Sequence, residues 1–296
     1  MQWKGRRSSR NIEDRRGQGG GGGLRSGGVA GAGGLGVVVV FVIAMLLGVD
    51  PRHLLEGAGG SLSGGSSGSG SGQSAAPLSA EEQQAGEFVS VVLADTEEIW
   101  TRLFADQLNR RYTPPVLVLF STGTQSPCGG ASAATGPFYC PADNKVYLDT
   151  SFFATMEHQL GAKGDFAAAY VVAHEVGHHI QDALGILSEA NEIRAKVSER
   201  ESNEISVRIE LQADCLSGIW AREAQASLGV VEPGDFDEAL QAARQIGDDT
   251  LQRAAGRRPM PHSFTHGSAE QRQRWFATGL QSGRIADCDT FRQATL

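Results

Sequence analysis

His174-Glu175-Val176-Gly177-His178 decides how this chain is read. Two histidines four residues apart leave one face of a helix, one above the other, at the spacing that lets both reach one metal ion. The glutamate between them sits roughly 100° around the helix, beside the metal rather than bound to it. Asp165 reads as the N-cap, and the alanine-rich apolar run from Phe166 to Ala173 leads into the first histidine, as a buried helix would. The pattern points to zinc-assisted hydrolysis with Glu175 as general base, because zinc lowers the pKa of a water and polarises a carbonyl.

Catalytic zinc takes three protein ligands and leaves a fourth position open. Glu210-Leu211-Gln212-Ala213-Asp214 supplies the third, on an amphipathic stretch from Ile205 to Ala226. Glu210 is assigned to the metal, and Asp214, one turn on, to the free ring nitrogen of His174, where it fixes the tautomer. Further along, Ser268 with Gln271 forms a capping box, so a helix starts there with His266 in the loop ahead and Arg272 on its first turns. His266 is the candidate donor to the developing oxyanion. Arg272 either adds positive charge there or holds an acidic residue of the site. His179 points about 100° from the metal face, and His53, His158 and His262 have no partner at metal spacing.

Composition divides the 296 residues. Residues 1–28 read as a basic, glycine-rich arm, and 50–77 as a Gly/Ser linker. Between them Val29 to Val49 carries no charge and spans about 31 Å as a helix, the thickness of a bilayer core. It reads as an uncleaved signal anchor. Before it, seven basic residues stand against Glu13 and Asp14, which keeps the arm in the cytoplasm and sends residues 78–296 outside. The expected lipid partner is the bilayer itself. A net charge of −8, concentrated in the outer domain, argues against nucleic acid as a partner. The four cysteines, Cys128, Cys140, Cys215 and Cys288, all follow the apolar segment and suit an oxidising space. Four cysteines allow three pairings. The short glycine-rich loop makes Cys128–Cys140 the first guess, which leaves Cys215–Cys288.

The chain resembles a bacterial family, the "putative neutral zinc metallopeptidases" of the YpfJ-like group. The resemblance is carried by HEVGHHIQ at 174–181, RIELQADCLSGIW at 208–220 and SFTHGSAEQR at 263–272, in that order. WKGRRSSRNIEDRRG at 3–17 and the stretch from Cys128 to Phe153 share it. More widely the chain is similar to gluzincin-type peptidases, whose HExxH helix is completed by a glutamate from an ExxxD helix. That implies His174, His178 and Glu210 as ligands and Glu175 as base. Membrane-anchored relatives of that type carry a late Thr-His-Pro segment followed by an arginine. Here the segment reads His266-Gly267.

The expected fold class is α+β: a mainly helical, zincin-like domain with a small antiparallel sheet, preceded by one transmembrane helix. Helices are expected over Ala80 to Asn109, the two ligand stretches, Phe236 to Ala255 and Ala269 to Gln281. Val116 to Phe120 is a buried strand. Phe138 to Cys140 and Val146 to Leu148 form a hairpin, with Val146 to Leu148 as the edge on which an extended peptide pairs. The expected function is cleavage of peptide or protein substrates in the cell envelope, periplasmic in a Gram-negative cell. Two other classes fit the same residues: a zinc-binding envelope protein that cuts nothing, and a zinc amidase acting on a non-protein amide.

Overall fold

The computed structural model describes residues 1–17, 77–132, 135–158 and 160–296. Its strands are β1 (Ile12–Asp14), β2 (Val116–Phe120), β3 (Gly123–Ser126), β4 (Gly129–Ser132), β5 (Phe138–Cys140) and β6 (Lys145–Asp149). Its helices are α1 (Ala80–Leu108), α2 (Ser151–His158), α3 (Asp165–Ala183), α4 (Ile186–Arg194), α5 (Glu199–Glu223), α6 (Asp235–Gln245), α7 (Asp248–Ala254) and α8 (Ala269–Ser282). The α+β expectation holds.

β2 is apolar along its whole length because both its faces are covered. Leu117 and Leu119 join the main helical core with Val146, Leu148 and Tyr139. Val118 and Phe120 face the other way, onto Phe138, Tyr147 and Ala131 of the β3–β4 hairpin. The main sheet runs β1-β2-β6-β5. Its first three strands are parallel and only β5 is antiparallel, so the sheet is mixed rather than antiparallel. β6 therefore lies inside the sheet. The edge strand expected at Val146 to Leu148 is instead β5, next to it in the hairpin.

The helix expected over Phe236 to Ala255 breaks at Ile246-Gly247. There the chain turns so that Asp248 can bond the backbone of the 265–267 loop. Helix α1 begins at a capping box between Ser79 and Glu82 and ends on Asn109 in the left-handed conformation. α5 and α8 open on capping boxes as well, Ser198 with Glu201 and Ser268 with Gln271.

The largest departure concerns the N-terminus. Residues 1–17 are not a detached arm. β1 pairs with β2, Ile12 opposite Leu117, and Met1 and Trp3 are buried in the core, Trp3 edge-on to Phe88. Three of the basic residues that marked a cytoplasmic side in the sequence have partners in the folded body. Arg6 pairs with Asp95, Arg7 with Glu97, and Arg16 donates to the Glu82 carbonyl. The α-amine of Met1 sits among Asp165 at 2.6 Å, Glu232 at 3.2 Å and Asp235 at 3.4 Å. Residues 1–17 and 77–296 thus share one sheet. Among the described residues no helix is long and apolar enough to cross a membrane. The 29–49 segment, His53 and the linker up to residue 76 lie outside the described residues.

Candidate metal centre

Helix α3 is capped from outside. Its N-cap is Gly164, not Asp165, and the Phe166 N–H donates to the Glu238 carboxylate of α6 at 3.0 Å. From there the helix runs buried to His174 and His178, whose rings stand 4.8 Å apart. α5 crosses it where Gly177 meets Ala213: a Cβ on Gly177 would lie 3.1 Å from the Ala213 carbonyl oxygen and 3.2 Å from its Cα. The missing side chain lets the two helices close up, and that approach carries Glu210 to the histidines.

Each histidine has its Nδ1 engaged and its Nε2 turned to Glu210. His174 Nδ1 donates to Asp214 Oδ1 at 2.9 Å, and its Nε2 lies 3.1 Å from Glu210 Oε2. His178 Nδ1 donates to Gln181 Oε1 at 2.9 Å, and its Nε2 lies 3.6 Å from Glu210 Oε1. Gln181 cannot turn over, since its amide nitrogen donates to the Ile209 carbonyl and to Gln212 Oε1. Two imidazoles and one carboxylate, nearly buried, with all three ligand atoms within 4.8 Å of one another, are a zinc donor set. Bonds of about 2.05 Å in a tetrahedron separate ligand atoms by about 3.3 Å, between the two nitrogen–oxygen distances found here. The residues fit zinc.

Electrostatics favours a cation in the same place. Burial alone would push the Glu210 carboxyl up, but the charge of His178 and the hydrogen bond from His174 hold it well below the carboxylate range. His174 is raised to about 9, because the Asp214 hydrogen bond and charge outweigh the burial that opposes its protonation. Glu175 is pushed up by burial, against the pull of His178 and His174.

Asp214 is itself held. Arg272, 2 % exposed, donates to its two oxygens at 2.8 and 2.9 Å. The Tyr170 hydroxyl donates to Asp214 Oδ1 at 2.5 Å and accepts from Arg272 at 3.2 Å. Of the two roles open to Arg272, the structure gives it the second: it grips the aspartate that orients His174. It is not placed as a catalytic residue.

His266 is buried, and its loop is wound around Asp248. Asp248 Oδ2 accepts the backbone N–H groups of Thr265, His266 and Gly267 at 2.8, 2.7 and 3.0 Å, while Oδ1 lies 3.2 Å from His266 Nδ1. Burial disfavours protonation of the His266 ring, but Asp248 outweighs that and its pKa is raised. The departure from His-Pro now has a reason. Gly267 has φ of +92° and donates its N–H to Asp248; proline is locked near −65° and has no N–H to give.

The remaining assignments sort plainly. His179 is no ligand: its Nε2 donates to the Thr113 carbonyl at 2.8 Å and its Nδ1 lies 3.2 Å from the Tyr139 hydroxyl. His158 and His262 are exposed. The disulfides are Cys128–Cys140 and Cys215–Cys288, the second beginning one residue from Asp214. Three residues of the site went unread in the sequence. Tyr170 and Gln181 lie on α3 at four residues before His174 and three after His178, spacings that place them on the histidine faces. Asp248 carries no local signal, because it meets His266 only through the fold.

The family described as "Putative neutral zinc metallopeptidase" matches residues 1–291. "Uncharacterized protein YpfJ" of Escherichia coli is 44% identical over 294 residues, 98% of this chain and 99% of its own. "Uncharacterized protein Rv2575" of Mycobacterium tuberculosis is 46% identical over 195 residues, 62% of this chain and 65% of its own. No solved structure gives a significant match.

Proposed function

The chain belongs to the family described as "Putative neutral zinc metallopeptidase", and from that premise we propose that it is a hydrolase that cuts peptide bonds. One observation carries the reading: both histidines spend Nδ1 on fixed acceptors, so both Nε2 atoms and Glu210 converge on one point. His174, His178 and Glu210 would hold zinc, which when bound supplies an activated water and polarises the scissile carbonyl. The chain's own residues do the rest. Glu175, between the ligands and raised by burial, is suited to take a proton on its carboxylate and return it to the leaving amine. His266, aligned by Asp248, donates to the carbonyl oxygen as negative charge builds there. Arg272 and Tyr170 hold Asp214, and Asp214 holds His174 in the tautomer that leaves Nε2 free.

An extended peptide pairs with the outer edge of β5, which no other strand occupies among the described residues. Tyr139 joins that strand to the metal helix through a hydrogen bond to Asp182 at 2.8 Å. The working place is an oxidising space outside the cytoplasm, a reading supported by two disulfides and the absence of free cysteines among the described residues. Peptides or proteins of the cell envelope are the substrates proposed. Casein hydrolysis and zinc content, measured on the full chain and its Glu175→Gln form, test the reading. The variant is expected to keep zinc and lose activity; activity within about tenfold of wild type would move the base elsewhere.

A further inference from the structure

His174 and His178 are oriented by different chemistry. His174 gives its Nδ1 proton to Asp214, and a carboxylate can only accept, so that bond alone settles the tautomer. His178 gives its proton to the Gln181 amide at 2.9 Å. An amide has an accepting end and a donating end of nearly the same shape, so Gln181 fixes His178 only if something else fixes Gln181. Turned over, it would offer an N–H to Nδ1, and the ring proton would move to Nε2, the atom that faces Glu210.

Two backbone carbonyls impose the direction. Gln181 is fully buried, and its Nε2 donates to the Ile209 carbonyl at 2.7 Å and to Gln212 Oε1 at 3.0 Å. Ile209 precedes Glu210, so the first bond ties the partner of His178 to the peptide of the other ligand. Gln212 is an amide too, and needs a lock of its own. Its Nε2 donates to the Cys288 carbonyl at 2.9 Å, and a carbonyl only accepts. Cys288 ends the short turn Ile285–Cys288 after α8 and is bridged to Cys215, three residues beyond Gln212 on the same face of α5. The three bonds therefore all point one way: His178 donates to Gln181, Gln181 to Gln212, and Gln212 to Cys288. Cys215 and Cys288 are no more than 1 % exposed, so the bridge is a permanent brace.

We propose that Gln212 is a positioning residue of the metal centre: seated on the disulfide-held Cys288 carbonyl, it keeps Gln181 in the one orientation that leaves His178 Nε2 unprotonated. The inference rests on the peptidase reading, in which His178 is a metal ligand. Without Gln212, the Ile209 carbonyl alone opposes the turning of Gln181, and one lock holds where two did.

The experiment uses the full chain as wild type, as Gln212→Met, which keeps the length and loses both hydrogen bonds, and as the paired Cys215→Ala, Cys288→Ala variant. Thr96→Val, which removes a buried hydroxyl on α1 bonded to the Leu93 carbonyl, controls for general loss of stability. Nitrogen-15 NMR of the zinc-free chain at alkaline pH reads the tautomer of His178, competition with a chelator reads zinc affinity, and melting reads stability. Wild type should hold His178 as the Nδ1–H form. In Gln212→Met and in the cysteine pair the Nε2–H form should appear, and zinc should bind about 3- to 10-fold more weakly, less than the 10- to 100-fold typical of a ligand's direct partner. Combining the two changes should weaken zinc little further, because both act through one path. Thr96→Val should lower the melting temperature and leave tautomer and zinc affinity alone. Zinc affinity of Gln212→Met within about twofold of wild type, losses that multiply on combination, or losses matched by Thr96→Val would overturn the role of Gln212. If Gln212→Met does not fold, the cysteine pair is judged by the same tautomer and zinc criteria. A wild-type chain that binds no zinc overturns the metal reading instead, and the zinc-free spectra still decide on Gln212.

Discussion

Replacing Arg272 by methionine separates two roles that the sequence left open for it. The side chain is buried with Asp214, which has no exposure, and the pair is closed by two hydrogen bonds of 2.8 and 2.9 Å. Removing one partner of such a pair leaves a buried charge uncompensated and costs about 3–5 kcal/mol. In a folded body of this size each kcal/mol moves the melting temperature by about 2–4 °C, so Arg272→Met should melt about 6–20 °C lower. Asp214 then swings free of its grip on His174, and loss of such support weakens zinc binding about 10- to 100-fold. The assays are thermal melting and competition for zinc with a chelator of known affinity. With zinc saturating, kcat should recover most of its wild-type value, because Glu175 and His266 are untouched. An arginine that stabilised the oxyanion would behave oppositely. A fall of about 10²–10³ in kcat, with melting temperature and zinc affinity unchanged, would refute the positioning role.

Other outcomes follow from the same contacts. Asp248→Asn removes the charge that raises the His266 pKa, so the alkaline limb of kcat/KM should move to lower pH, and an unmoved limb would separate His266 from catalysis. The sign for stability agrees: a raised histidine contributes fully below about pH 6.5 and its contribution is lost as pH rises through the folded value. Reduction of Cys215–Cys288, which spans 73 residues, should cost about 4 kcal/mol, and of Cys128–Cys140, which spans 12, about 3 kcal/mol, read as melting shifts of the single Cys→Ser variants. Deleting residues 1–17 uncovers the core around Trp3 and Met1 and should lower stability by about 3–6 kcal/mol; an unchanged melting temperature would show that β1 contributes nothing.

The metal helix was legible because its signal is local: i, i+4 ligands and an apolar approach lie within one element. The Glu210 helix, the capping box at Ser268 and the 138–149 hairpin were legible for the same reason. What failed was long-range. Nothing in Ile12–Asp14 says that it joins Leu117, and a glycine-rich neighbourhood with many arginines looks like an arm until Asp95 and Glu97 are seen beside it. The order of strands within the sheet is likewise invisible in a hairpin read alone, which is why the edge was placed on β6 rather than β5. Asp248 sits in a stretch with helical spacing, and only its meeting with the 265–267 loop explains why that helix is cut in two.

The position of β1 also fixes an order of events during synthesis. Ile12 leaves the ribosome first, yet its partner Leu117 follows only after about a hundred further residues. Closing a loop of that length costs about 4 kcal/mol in chain entropy before any strand contact forms. The first strand to be made must therefore wait for its partner. Until it is seated the β2 edge, apolar throughout, stands open to pairing with any passing chain. Fusing a bulky tag to Met1 would therefore slow the step that fills that edge and prolong the nascent molecule's exposure to aggregation.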